Sequence, residues 1–119
     1  MFRLQWAVLA AMLWLPLPTQ AAQLSQDGLS SIPVAELPVE ARDTLRAIKQ
    51  GGPFVYARDG AVFNNFEQVL PRQKRGYYHE YTVKTPGVHN RGVRRIISGK
   101  LDEYYYTADH YQSFKKILE

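Results

Sequence analysis

The sequence predicts an α+β domain in which one N-terminal amphipathic helix packs on a small antiparallel β-sheet. Three observations predict it. Ala41, Leu45 and Ile48 recur at i, i+4 and i+7, the spacing of one helical stripe. After Gly51-Gly52-Pro53 the pattern changes to short apolar or aromatic runs bounded by Gly, Pro, Asp or Asn. A single helix followed by a run of antiparallel strands is the α+β order. The chain has 119 residues, 45% hydrophobic, 22% charged and 13% aromatic. That length excludes a multidomain protein, and the composition is far from that of a disordered chain.

The first residues precede the fold. Arg3 is followed by an unbroken apolar run from Trp6 to Leu15, then by Pro16, Pro18 and the small residues Thr19, Ala21 and Ala22. This is the pattern of a secretory signal peptide over residues 1–22, because the run is much shorter than the ~20 residues a spanning helix needs. Cleavage after Ala21 or Ala22 removes Arg3 and leaves a basic domain with no membrane segment. Residues 23–31 are polar, contain Gly28 and show no periodicity, so they read as a flexible leader, and the domain occupies 32–119.

Within the domain, Ile32 to Leu37 reads as extended. The helix is expected over Pro38 to Gln50: Pro38 suits a first turn, Glu40 and Lys49 complement the helix dipole, and Gly51 stops it. Phe54-Val55-Tyr56, the turn signal Arg58-Asp59-Gly60 and Ala61-Val62-Phe63 read as short strands and turns. Tyr77 to Val83, Val93 to Ser98 and Tyr104 to Thr107 are further strand candidates. The helix is expected on one face of the sheet, leaving the other free for a site.

Composition narrows the chemistry. The chain has no cysteine, which excludes a disulfide scaffold, a thiolate zinc site and a thiol nucleophile. Its formal charge of +4 favours polyanions or anionic surfaces as partners without identifying one. The three histidines share no metal-site spacing with carboxylates, so neither metal nor cofactor is expected.

Strand alternation then groups residues. In Tyr77 to Val83 it places Tyr78, Glu80 and Thr82 on one face, and in Arg91 to Ile97 it places Arg91 and Arg95 on a common face. A carboxylate in mid-strand needs cations near it, and Glu80, Arg91 and Arg95 can share one sheet face. Parity alone leaves two readings open: a catalytic group, or an ion-pair cluster that only satisfies Glu80. His110, in the Asp109-His110-Tyr111 turn after the last strand candidate, adds a proton donor. His79 reads as packed beneath the sheet and His89 as solvated in a loop.

Several spaced blocks carry a resemblance. Leu37-Pro38 to Gly52-Pro53-Phe54, Arg58-Asp59-Gly60, Val62-Phe63, Gly76-Tyr77-Tyr78-His79-Glu80-Tyr81-Thr82-Val83, Thr85-Pro86-Gly87, Arg91-Gly92-Val93-Arg94-Arg95-Ile96-Ile97, Tyr105-Tyr106-Thr107 and Asp109-His110-Tyr111 stand in order from Leu37 to the C-terminus. Together they resemble the secreted guanyl-specific microbial ribonucleases, the barnase-like family. The resemblance implies Glu80 as general base, His110 as general acid, and Arg91 and Arg95 as phosphate-binding groups. It also implies base recognition by Phe63, Asn64, Asn65, Phe66 and Glu67, with Tyr111 beside Phe63 against the base face. The chain departs from the family pattern at Phe66, where many members carry an arginine, and in lacking the disulfide of some relatives.

The function so implied is cleavage of single-stranded RNA 3′ of guanosine through a 2′,3′-cyclic phosphate, by a secreted monomer. A small acidic, barstar-like inhibitor protein is the further partner implied. The alternative is an exported RNA-binding or interaction module with the same fold and no turnover. The basic segment Arg72-Gln73-Lys74-Arg75 reads as solvated, or as a phosphate track for flanking nucleotides.

Overall fold

The computed structural model describes residues 28–119. The signal peptide expected over 1–22 and most of the leader lie outside the described residues. The chain runs β1 (Ser30–Pro33), a 3-10 turn (Val34–Glu36), α1 (Val39–Gln50), β2 (Ala61–Phe63), β3 (Tyr78–Thr82), β4 (Arg95–Ser98), β5 (Tyr104–Thr107) and β6 (Lys115–Leu118). The six strands form one sheet in the order β1-β6-β5-β4-β3-β2.

The helix begins one residue after Pro38, whose extended backbone (φ −55°, ψ 150°) turns the chain into it. Gly51 ends it in the left-handed region at φ 82°, where the Gly51 and Gly52 N–H groups donate to the carbonyls of Ile48 and Ala47. Glycine reaches that conformation without the steric cost of a Cβ. Ala41 and Leu45 are buried and pack with Leu37, Val83, Ile96, Tyr104, Tyr106 and Ile117. The Thr44 hydroxyl also donates to the Thr82 carbonyl (3.1 Å), tying α1 to β3.

Alternation along β5 divides the core in two. Tyr104 and Tyr106 face the helix, whereas Tyr105 joins Leu70, Tyr78, Ile97 and Phe114 on the opposite face. That opposite face therefore carries a core of its own, and the site described below lies beside it, not on a bare sheet surface.

The sheet is mixed. β2 to β6 pair antiparallel, but β1 runs parallel to β6 with Ile32 opposite Ile117. β1 starts at Ser30, inside the segment expected to be leader, and the extension expected to Leu37 breaks at the 3-10 turn. Phe54 to Tyr56 form bends and a turn, with Phe54 packed on Tyr81 (ring centroids 5.0 Å apart). β6 escapes the sequence reading because only Ile117 in Lys115–Leu118 is buried. Its pairing is fixed by neighbours on both sides.

Candidate active site

The centre of the site is Glu80, on the β3 face opposite the helix and with its side chain only 7% exposed. The β3–β4 register sets Thr82 against Arg95 and Glu80 against Ile97, so Arg95 is the diagonal neighbour of Glu80. Arg91 reaches in from the loop before β4. Its Nη2 donates to Glu80 Oε1 (3.0 Å), and its Nε donates to the Thr82 hydroxyl (3.0 Å). Arg58 Nη2 donates to Glu80 Oε2 (3.2 Å), the Tyr111 hydroxyl donates to Oε1 (3.1 Å), and Arg95 Nε lies 3.9 Å from Oε1.

Burial alone pushes the Glu80 carboxyl up. Hydrogen bonds from Arg91, Tyr111 and Arg58, with the Arg58 charge, outweigh that and hold it below the usual carboxylate range. Tyr111 moves the opposite way. Its burial and the adjacent Glu80 charge raise the phenol, against the opposing effect of Arg95.

Arg95 is held by backbone. Its Nη1 donates to the carbonyls of Arg94 (2.8 Å) and Gly92 (3.0 Å), and its Nε to the Tyr111 hydroxyl (3.2 Å). Gly92 makes this possible. It sits at φ 65°, and a Cβ there would stand 2.6 Å from Thr85 Oγ1. The loop that supplies the carbonyl thus admits only glycine without rearrangement.

His110 is presented by a strained turn. His110 and Tyr111 both adopt positive φ, 58° and 76°, a costly backbone for side-chain-bearing residues. Asp109 knots the turn: its Oδ1 accepts from the Thr107 hydroxyl (2.8 Å) and the Ser113 N–H (2.9 Å), and its Oδ2 from the Ser113 hydroxyl (2.6 Å). The Ser113 hydroxyl is the chief cause of a lowered Asp109 carboxyl. The His110 N–H donates to the Val93 carbonyl (3.1 Å), and the exposed imidazole lies 4.6 Å from the Tyr111 ring, centroid to centroid.

A cleft of about 370 Å³ brings these groups together with the loop after β2. Glu80, His110, Arg58, Phe63, Tyr111 and Phe114 line it, with Asn64, Asn65, Phe66 and Glu67. Phe63 packs on Tyr111 at 5.0 Å and on Phe114 at 6.0 Å. Asn65 sits at φ 54° and its amide bonds both the N–H (3.1 Å) and the carbonyl (3.0 Å) of Leu70. That side chain is spent on closing the loop. Phe66 is 86% exposed at the cleft, and Glu67 is exposed beside it.

Glu80, His110, Phe63, Tyr111 and the loop after β2 line the cleft, whereas Arg91 and Arg95 approach the Glu80 carboxylate without lining it. Arg58 was missed as a site residue. It read only as part of a turn, and its partner becomes visible through the β2–β3 pairing, in which Ala61 lies opposite Glu80. His79 is half-buried with Nδ1 at the Gly60 carbonyl (3.0 Å), and His89 is exposed in a loop. Among the described residues, no three His, Cys, Asp or Glu side chains gather where they could hold a metal ion.

Comparison with known proteins agrees along the length of the domain. Guanyl-specific ribonuclease Sa of Kitasatospora aureofaciens is 54% identical over 92 residues, 76% of this chain and 96% of that protein. Guanyl-specific ribonuclease St of Saccharopolyspora erythraea is 52% identical over 88 residues, 74% of this chain and 87% of that protein. Two solved structures of ribonuclease Sa2, one of complexes with mononucleotides and one with guanosine-2′-cyclophosphate, superpose with TM-scores of 0.76 and 0.73. They share 46% and 47% identity, over 76% of this chain and 95% and 96% of theirs. A family model described as ribonuclease matches residues 19–118. With the α+β architecture and the cleft, that match establishes that the chain belongs to the ribonuclease family.

Proposed function

We propose that this chain is an exported endoribonuclease that cleaves single-stranded RNA on the 3′ side of guanosine, by transesterification to a 2′,3′-cyclic phosphate and then hydrolysis. The observation that carries the reading is a carboxylate held ionised by guanidinium groups in the same cleft as an imidazole. RNA supplies its own nucleophile, so the protein has to move two protons and stabilise charge. Glu80 accepts the 2′-hydroxyl proton as that oxygen attacks phosphorus. Arg91 and Arg95 donate to the phosphoryl oxygens as charge accumulates there. His110 gives a proton to the departing 5′-oxygen. In the second step water attacks the cyclic phosphate, with His110 as base and Glu80 as acid.

The arginines also tune the base. In the free site they hold Glu80 ionised and therefore weakly basic. A phosphodiester entering the cleft shares their hydrogen bonds and displaces water, both of which raise the affinity of Glu80 for a proton. The base gains strength when substrate is in place.

Guanine recognition falls to the loop after β2. Glu67 accepts from guanine N1–H and the exocyclic amine, backbone N–H groups of residues 64–66 donate to O6 and N7, and the Phe63 and Tyr111 rings meet the base. Adenine offers the wrong donors and acceptors.

Three further expectations complete the proposal. Residues 1–22 direct export and are removed, which mass measurement of the secreted product checks. The mature protein acts as a monomer, checked by sedimentation. The site, with Arg58 61% exposed at the cleft and Arg91 beside Glu80, offers charge complementarity to a small acidic inhibitor protein. The functional test is incubation with short RNAs and their DNA counterparts in a chelator. Scission after guanosine with cyclic phosphate ends, and intact DNA, is expected; chelator-sensitive cutting or equal attack on DNA overturns the mechanism.

A further inference from the structure

We infer that the turn carrying Arg72, Lys74 and Arg75 is a second RNA-binding site, which holds the phosphates on the 5′ side of the guanosine at which the chain is cut. The inference rests on the guanosine-directed cleavage proposed above and extends it to the length of RNA engaged.

The turn is anchored to the recognition loop. Asn65, which closes that loop on Leu70, also reaches the Pro71 carbonyl with Nδ2 (3.5 Å), and the Tyr78 hydroxyl donates to the same carbonyl (2.6 Å). The Tyr77 N–H donates to the Lys74 carbonyl (3.1 Å), closing a turn over residues 74–77 that leads into β3. Arg72, Gln73, Lys74 and Arg75 are all exposed. Among the described residues no carboxylate pairs with any of the three cations. Three like charges within four residues repel one another unless a polyanion lies across them.

Strand direction sets the polarity of the RNA. The proposed general acid His110 bonds through its N–H to Val93, just before β4, and Arg91 bonds to Thr82, at the end of β3. The leaving nucleotide, whose 5′-oxygen takes the His110 proton, therefore departs over the Thr82 end of β3. The basic segment lies beyond the opposite end of β3, which begins at Tyr78, two residues or ~7 Å from Glu80 at ~3.4 Å per residue, and Arg75 stands three residues further back. That displacement is too long for the scissile phosphate and suits nucleotides upstream of the guanosine.

The test compares kcat/KM for GpC, for ApApGpC and for GpCpApA, in the wild-type protein and in the R72Q/K74Q/R75Q variant, at low and moderate salt. GpC has no phosphate upstream of its guanosine and acts as the internal control. For two engaged phosphates, a slope of about −0.7 each in log–log form gives an advantage of ApApGpC over GpC that shrinks about sevenfold for a fourfold rise in salt. The variant is expected to lose that advantage and its salt dependence while cleaving GpC as the wild type does. A wild-type protein that gains nothing from 5′ extension, a gain confined to GpCpApA, or equal loss of GpC cleavage in the variant overturns the inference. Should the triple variant fail to fold, the salt dependence of the wild-type preference and the single variant K74Q decide by the same criteria. Failure of the wild type to cut GpC at all refutes the parent reading instead.

Discussion

Replacing Glu80 by Gln removes the proposed base while keeping its shape, and two consequences of different size follow. The catalytic one is loss of proton acceptance, about 10²–10⁴-fold in kcat. The structural one comes from the cations left behind. Truncating one partner of a buried ion pair typically costs ~3–5 kcal/mol. Here the cost is reduced, because Arg58 is 61% and Arg91 28% exposed and both can rehydrate, while Arg95 keeps its carbonyl acceptors. About 2 kcal/mol remains, which is ~8–16 °C in Tm for a domain of this size. The deficit also depends on pH with a definite sign. The carboxyl is lowered in the folded protein, so its contribution is complete above its ordinary value of 4.5 and is lost as pH falls through the folded value. Thermal melts of wild type and E80Q should therefore differ most near neutrality and converge in acid. Kinetic assay on GpC, beside titration with guanosine 3′-phosphate, separates the two effects: kcat collapses while nucleotide binding changes by less than about tenfold. A folded E80Q protein that retains kcat within tenfold, or a stability gap that widens in acid, refutes the reasoning.

Other substitutions probe other parts of the site. Glu67→Ala should lower the preference for guanine over adenine about 10–100-fold, the worth of one or two charge-assisted hydrogen bonds, in parallel assays on GpC and ApC. Gly92→Ala places a Cβ 2.6 Å from Thr85 Oγ1 at φ 65°, and should cost ~2–3 kcal/mol in denaturant melts. Asp109→Ala cuts the knot on the His110 turn, and should lower kcat about tenfold with little change in KM, because the imidazole is no longer held in place. The pH profile of kcat/KM should be bell-shaped, because turnover needs one group ionised and another protonated, and its acid limb reports Glu80 taking a proton.

What the sequence made legible divides along physical lines. The helix was readable because Ala41, Leu45 and Ile48 repeat its period and Gly51 marks its end with a residue suited to the left-handed backbone. β3 was readable because Tyr78, Glu80 and Thr82 alternate with half-buried neighbours. β1 and β6 were not, since a parallel pair depends on two segments far apart in the chain, and neither carries a periodic signal of its own. The same distinction governs the site. Strand parity made Glu80 and Arg95 compatible with one face without fixing the register, whereas Arg91 reaches Glu80 from the loop before β4, where parity does not apply. His110 followed from its place after the last strand candidate, and the motif resemblance added the loop after β2. Arg58 depended on a pairing register that parity does not specify. Asn65 belonged to the loop as expected, but that its side chain serves loop closure emerges only from its bonds to Leu70.

The central claim is that Glu80 and His110 act on one phosphate as base and acid, and it can be tested by a substrate that needs only one of them. In a GpC analogue whose bridging 5′-oxygen is replaced by sulfur, the leaving thiolate departs without a proton. The account predicts that H110A cleaves this analogue at close to the wild-type rate while failing on normal GpC, and that E80Q fails on both. Restoration of E80Q, or no restoration of H110A, would contradict the assignment of the two roles.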